Sequence, residues 1–452
     1  MCFPILAERA LRFTMTNQIN YISTRSGSET ISFKEATTNG LALNGGLYVP
    51  NTIPSLPTSF FDSIEKKTEV EIACEVLLPF VQDSLSKQRL EEIVSETLSF
   101  PIPLVELDAD TFVLELFHGP TQAFKDVGAR FMSRCMSEFS GDKELTVLVA
   151  TSGDTGSAVA NGFFDVPGIS VKILFPKGKV SPYQEFQMTS LGKNIQAIEV
   201  DGTFDDCQAL VKQAFQDDAL RKRVSLSSAN SINIARLLPQ MLYYFSAYKQ
   251  IKAKLGSKKL VVSVPSGNFG NITAGLIAKR MGLPIHRFIA ANNSNDTFFK
   301  YLETGKYEPK PSVATFSNAM DVGAPSNFER IQYLFNNEIE AIKSVVSSCS
   351  FTDSQTLDEI KECYAKNHYT LDPHGAVGKL ALSQNLGIDQ IGVFLETAHP
   401  LKFAEVVQKA IPNYKTKDVD LSGCRKMSMK NSYIELVRHL YVSTKNMHLT
   451  ND

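Results

Sequence analysis

The chain has 452 residues, 43% of them hydrophobic and 21% charged, with a formal net charge of -2. That length exceeds what a single core serves and predicts two or three domains. The near-neutral balance provides no basic field for a phosphate backbone, so nucleic acid is excluded as a partner while a single small anion is not.

The chain opens with MCFPILAERALRFTM, a short apolar start interrupted by Glu8 and two arginines, with no small-residue cleavage site after it. It reads as a ragged extension over residues 1–14. No apolar run approaches the roughly 20 residues that span a bilayer, so a cytoplasmic protein without a membrane segment is expected. Residues 62–97 carry apolar positions at helical spacing, with a break expected at Pro79. PIPLVEL (101–107) then reads as a linker into a first strand.

From there the pattern becomes strand, turn, helix, repeated. TFVLELF (111–117) leads through HGPTQAF into a helix at KDVGARFMSRCMSEF, and LTVLVAT (145–151) leads through SGDTG into SAVANGFF. VKILFP (171–176) and IQAIEV (195–200) are further strands. KLVVSVPS (259–266) leads through GNFGN into ITAGLIAKRMG, with HRFIAA and IGVFLET as later strands. Short apolar runs alternating with helices predict an α/β architecture of largely parallel, buried strands. Ligands bind such sheets outside the C-terminal strand ends, where every glycine-rich turn of this chain falls.

The turn Ser266–Asn271 (SGNFGN) joins a strand to a helix. Its two glycines allow close backbone approach, and the helix start presents unpaired N–H groups that suit a phosphate dianion. It lacks the GK[ST] of a P-loop and the third glycine of a dinucleotide fingerprint; the alternative is a tight connection with no ligand. Thr151–Ala158 (TSGDTGSA) places Ser152, Gly153, Asp154 and Thr155 at another helix start, fit either for an anion or simply for capping. Asp154 is awkward there, since a carboxylate repels an anion. Lys125 follows Phe124 at a third helix start, where the helix end and an apolar flank disfavour the ammonium and help an amine act as nucleophile and base. A solvated lysine is the competing reading. LDPHGAVG (371–378) reads as an ordinary turn before a helix, and ETAHPLKF (396–403) puts Thr397, His399 and Pro400 at a strand end.

The seven cysteines form no CxxC pair and are scattered, which reads as free thiols in a reducing compartment. No histidine spacing suggests a zinc site, and no metal is expected.

Together these segments resemble the threonine synthases, within the tryptophan-synthase-β-like group of pyridoxal-phosphate enzymes. The resemblance runs from YISTRSG (21–27) and FKEATTNGLALNGGLYVP (33–50) through ELFHGPTQAFKDVGARFM, ATSGDTGSA, SANSINIARLLPQ and SVPSGNFGNITAGLIAKRMGLP to LDPHGAVG and ETAHPLKF. The N-terminal segment is similar to the longer, bacterial and fungal form. The resemblance implies fold type II: two open, mostly parallel sheets with an extra, mainly helical N-terminal domain. Residues 1–104 would form that domain, 105–140 with 226–452 a large cofactor-binding domain, and 141–225 a small substrate-side domain.

The resemblance also implies roles. Lys125 would hold pyridoxal 5'-phosphate as a Schiff base and carry protons. Gly267, Asn268, Phe269, Gly270 and Asn271 would hold the cofactor phosphate, and Thr397 the pyridine nitrogen. Ser152, Gly153, Asp154 and Thr155 would take the substrate carboxylate, with Asn233 and Arg236 near the substrate phosphate. The implied reaction converts O-phospho-L-homoserine and water to L-threonine and phosphate, in a monomer or homodimer. The rival readings are a threonine dehydratase-like enzyme or phospho-lyase of the same fold, and a non-catalytic ligand-binding scaffold.

Overall fold

The computed structural model describes residues 18–27, 29–139, 144–416 and 418–441. The extension expected at 1–14 lies outside them. Thirteen strands are formed among the described residues: β1 (Tyr21–Ser23), β2 (Tyr48–Pro50), β3 (Leu104–Asp108), β4 (Thr111–Glu115), β5 (Leu145–Ala150), β6 (Ile169–Pro176), β7 (Ile195–Asp201), β8 (Ser225–Ser228), β9 (Lys259–Pro265), β10 (Arg287–Asn292), β11 (Val346–Ser350), β12 (Gln390–Glu396) and β13 (Lys426–Lys430). They make two main sheets. The larger has the order β11-β10-β9-β12-β4-β3, parallel except for the β3–β4 pair. The smaller has the order β13-β7-β6-β5-β8 and is parallel throughout. Strands β5 and β6 are buried at every position, as near-continuous apolar runs must be when helices cover both faces.

The expected mostly parallel α/β architecture is therefore present, and the helices Lys125–Phe139, Asp154–Phe163 and Gly270–Arg280 begin at the expected turns. Two expectations need correction, and two strands were not expected. Pro79 does not break its helix, which runs Glu69–Val81. Phe80 and Val81 are drawn fully into the core, and the one bond Pro79 cannot donate would have gone to the carbonyl of exposed Glu75. The Ser-rich β8 and β11 carry no apolar run to announce them. Finally, β13 pairs with β7, and the helix Tyr433–Tyr441 buries Leu436 and Leu440 in the smaller sheet's core. Residues 426–441 thus sit on the smaller sheet, and the boundary drawn through 226–452 fails there.

Residues 18–98 hold the β1–β2 pair and the helices Phe33–Asn39, Thr58–Ser63, Glu69–Val81 and Lys87–Thr97. Their apolar faces join the same core as the sheets: the rings of Phe33 and Phe139 meet edge-on at 6.0 Å, and Phe60 meets Phe245 at 6.0 Å.

Candidate active site

Four strand ends meet at one cavity. β4 leads through residues 116–124 to Lys125, β5 to Thr151–Thr155, β9 to Ser266–Asn271, and β12 to Thr397. Residues from all four turns line it. Backbone pairing sets the first and last side by side: the Phe124 N–H donates to the Thr397 carbonyl at 2.9 Å, and Ala123 bridges Ala398.

Lys125 is partly buried in the cavity wall, and among the described residues its amine forms no ion pair; the Phe124 ring lies 5.7 Å away. Burial, opposed by the Asp154 carboxylate and aided by the cations Arg236 and Lys402, brings its pKa down to about 8. A substantial fraction of the amine is neutral near neutral pH.

Across the cavity, the Ser266–Asn271 turn enters the helix Gly270–Arg280 through Phe269, whose φ of 61° is left-handed and whose ring packs 4.6 Å from that of Phe298. Among the described residues, none of the amide N–H groups from Gly267 to Ile272 meets a protein acceptor. Six unclaimed donors at the start of a helix leave the turn able to take an anion such as a phosphate. The Asn271 side chain accepts from the Tyr244 hydroxyl at 2.7 Å, while its Nδ2 is buried without a partner. Asn268 is spent on the loop itself, donating to Ser231 and accepting from the Ser326 N–H.

The Thr151–Thr155 turn is built similarly. The Thr151 hydroxyl accepts from the Gly153 and Gly156 N–H groups at 2.9 and 2.8 Å, leaving those of Ser152, Asp154 and Thr155 unclaimed. Gly153 sits at φ 134°, and a Cβ there would fall 2.3 Å from Gln184 Cδ, so it shapes the turn and does not line the cavity. Asp154 is no bare carboxylate. Lys402 Nζ lies 2.9 Å from its Oδ1, and Gln184 Nε2 donates to it at 2.9 Å. Burial alone would raise the Asp154 pKa, but Lys402, then Lys125 and His374, hold it well below the ordinary carboxylate range.

Arg236 lines the cavity. One of its terminal N–H groups donates to the Ala229 carbonyl, and its buried Nε–H has no protein partner. Burial lowers its pKa to about 10, against the pull of Tyr243 and Asp126. Asn233, expected beside it, is absent from the cavity wall. Its Nδ2 donates to the Thr37 and Ser228 carbonyls at 2.8 and 3.1 Å, and its Oδ1 caps the next helix through Ala235 N–H. With every polar atom spent on backbone, it is a structural cap.

The sequence reading missed Lys402, Gln184 and His374. The LDPHGAVG segment does start a helix, capped by Asp372, but it also sets His374 on the cavity wall. There Nδ1 faces Asp372, and Nε2 accepts from the Ala319 N–H at 3.2 Å. Lys402 lies in the ETAHPLKF segment, and Asp154, the lone acidic residue of a turn fit for an anion, was a signal that a buried cation must face it.

The family described as pyridoxal-phosphate dependent enzyme matches residues 97–394, and the one described as threonine synthase N terminus matches residues 20–98. The threonine synthase of Escherichia coli is 47% identical over 84% of this chain and 88% of its own length. The crystal structure of threonine synthase from Escherichia coli superposes with a TM-score of 0.87 at 42% identity, covering 93% of this chain and 99% of that one. The structure of pyridoxal-phosphate-bound threonine synthase from Brucella melitensis gives a TM-score of 0.87 at 36% identity, over 93% and 98%.

Proposed function

This chain belongs to the threonine synthase family of pyridoxal-phosphate-dependent enzymes, and we propose that it converts O-phospho-L-homoserine and water to L-threonine and phosphate, with Lys125 as cofactor anchor and proton carrier. The observation that carries this is the pairing, in one cavity, of six unclaimed amides at Gly267–Ile272 with the part-buried Lys125 amine, which has no ion-pair partner among the described residues. Those amides suit the cofactor's phosphate, and the orphaned Asn271 Nδ2 supplies another donor nearby.

When bound, pyridoxal phosphate supplies the electron sink that lets protons leave the substrate carbons. Thr397 would meet the ring nitrogen with a neutral hydroxyl, which leaves that nitrogen largely unprotonated. The Ser152, Asp154 and Thr155 amides would receive the substrate carboxylate, and the Arg236 Nε–H its phosphate. Once the substrate amine has displaced it, Lys125 Nζ is free to take the Cα proton, release it, and then take a Cβ proton, so that phosphate leaves from Cγ. Cγ then gains a proton to become the methyl group, the hydroxyl of water bonds to Cβ while its proton goes to the phosphate, and Lys125 Nζ returns a proton to Cα.

We place the enzyme in the cytoplasm as a monomer or homodimer. In support, the described cysteines are free thiols, and among the described residues no helix is long and apolar enough to cross a membrane.

Borohydride reduction followed by peptide mapping is expected to find the reduced cofactor on Lys125, and Lys125→Ala to lose visible absorbance and phosphate release together. Label on another lysine, or ammonia release from threonine without phosphohomoserine turnover, overturns the reading in favour of a dehydratase-like enzyme.

A further inference from the structure

Lys402 is among the least accessible charged side chains of the molecule, with no exposed side-chain surface. It follows β12 by a few residues, yet its Nζ reaches three separate segments: Asp154 Oδ1 at 2.9 Å, the Thr121 carbonyl at 2.7 Å and Gln187 Oε1 at 3.2 Å. Each is tied further. Thr121 donates its N–H and hydroxyl to Asp126, one residue after Lys125. Gln187 also donates to the Thr121 carbonyl, at 3.1 Å. Asp154 heads the helix beside which the Ser152, Asp154 and Thr155 amides are unclaimed. One ammonium, carried just beyond β12 of the larger sheet, thus joins the turn that presents Lys125, the Ser152–Thr155 turn of the smaller sheet and the helix Pro182–Thr189 that follows β6.

We propose that Lys402 is a positioning residue for the reaction, neutralising Asp154 so that a carboxylate can bind the Ser152–Thr155 amides and so that the Lys125 amine stays unpaired. The inference rests on the proposed threonine synthase reaction for its substrate, but its electrostatic half does not depend on it. Without Lys402, Asp154 would keep a buried negative charge beside the unclaimed amides, and of the remaining cations Lys125 acts on it most strongly. The charged or titratable groups facing this pair are Arg236 and His374 on the cavity wall, Asp321 on the segment after β10 and its helix, and Asp126 behind the Lys125 turn. Asp154 favours a charged Lys125, while Arg236 and Lys402 oppose it.

The test compares wild type with Lys402→Met, Asp154→Asn and the double variant, all as full-length chains. In the holoenzyme, Lys402→Met is expected to raise KM for phosphohomoserine by about 100-fold, with a smaller loss in kcat, because a buried charge is left uncompensated. The double variant is expected to recover most of that KM. In the cofactor-free chain, pH-dependent acetylation of Lys125, followed by mass spectrometry, is expected to move to higher pH in Lys402→Met, to lower pH in Asp154→Asn, and to return near wild type in the double. A lysine that merely held the fold would give no rescue by Asp154→Asn. Unchanged KM and labelling in Lys402→Met, or a double variant no better than the single, overturns the proposal. Should Lys402→Met not fold, Asp154→Asn decides alone, and an unmoved labelling profile overturns it. Wild type that labels as expected but turns over no phosphohomoserine would count against the proposed reaction and leave the Lys402–Asp154 electrostatics standing on the labelling.

Discussion

A desolvated ammonium without an ion-pair partner is costly, and Lys125 shows the cost as a pKa of about 8 where an unfolded lysine has 10.5. Between those values the unfolded chain binds the proton and the folded chain does not, so this residue's penalty eases as pH rises from about 8 to 10.5 and is full below. The cofactor-free Lys125→Met chain is therefore expected to be more stable than the wild type at pH 7, by on the order of 3 kcal/mol. That advantage should fade above pH 10, as chemical denaturation at the two pH values would show. Asp154 carries the converse lesson. Its carboxylate in a turn proposed to bind an anion made no sense in the sequence, because its partner Lys402 lies far along the chain and reaches it only through the joining of two sheets.

At the scale of elements, the turns were legible because glycine and hydroxyl residues at strand ends have few other uses. The roles of their neighbours were not. Asn233 shares a motif with Arg236, yet its amide ties Thr37 and Ser228 together and caps a helix while Arg236 reaches the cavity. Asn233→Ala is expected to cost about 1–3 kcal/mol of stability through the lost cap and the stranded carbonyls. KM should change far less than in Arg236→Met, and denaturation together with steady-state kinetics separates the two. Pro79 shows the same limit of local rules, since core burial of Phe80 and Val81 outweighs one missing helix bond. Strands β8 and β11 escaped notice because their serines bond within the structure: Ser227 to the Thr37 carbonyl and Ser348 to that of Ala290.

Across the whole molecule, residues 18–98 share one core with the sheets instead of building their own. Tyr21 donates its buried hydroxyl to the Phe80 carbonyl at 2.7 Å, and Phe33 bridges Tyr21 at 5.8 Å to Phe139 of the Lys125 helix at 6.0 Å. Phe33→Ala is expected to destabilise the chain by about 3–5 kcal/mol. Unfolding followed by circular dichroism and by cofactor release should stay coincident, because the N-terminal segment and the site helix lose the same contact. Two separate transitions would show an independently folded N-terminal unit.

The apolar strands with the turns and helices that follow them, the glycine-rich loop fit for a phosphate and the family lay in the sequence by itself, because periodicity, glycine placement and contiguous motifs are local properties. Tertiary structure alone decided which amides are unclaimed, which cation neutralises Asp154, that Asn233 faces backbone, and that β13 returns to the smaller sheet. Each of those depends on what a buried polar group or an edge strand meets from distant parts of the chain, and burial makes that meeting obligatory without naming the partner.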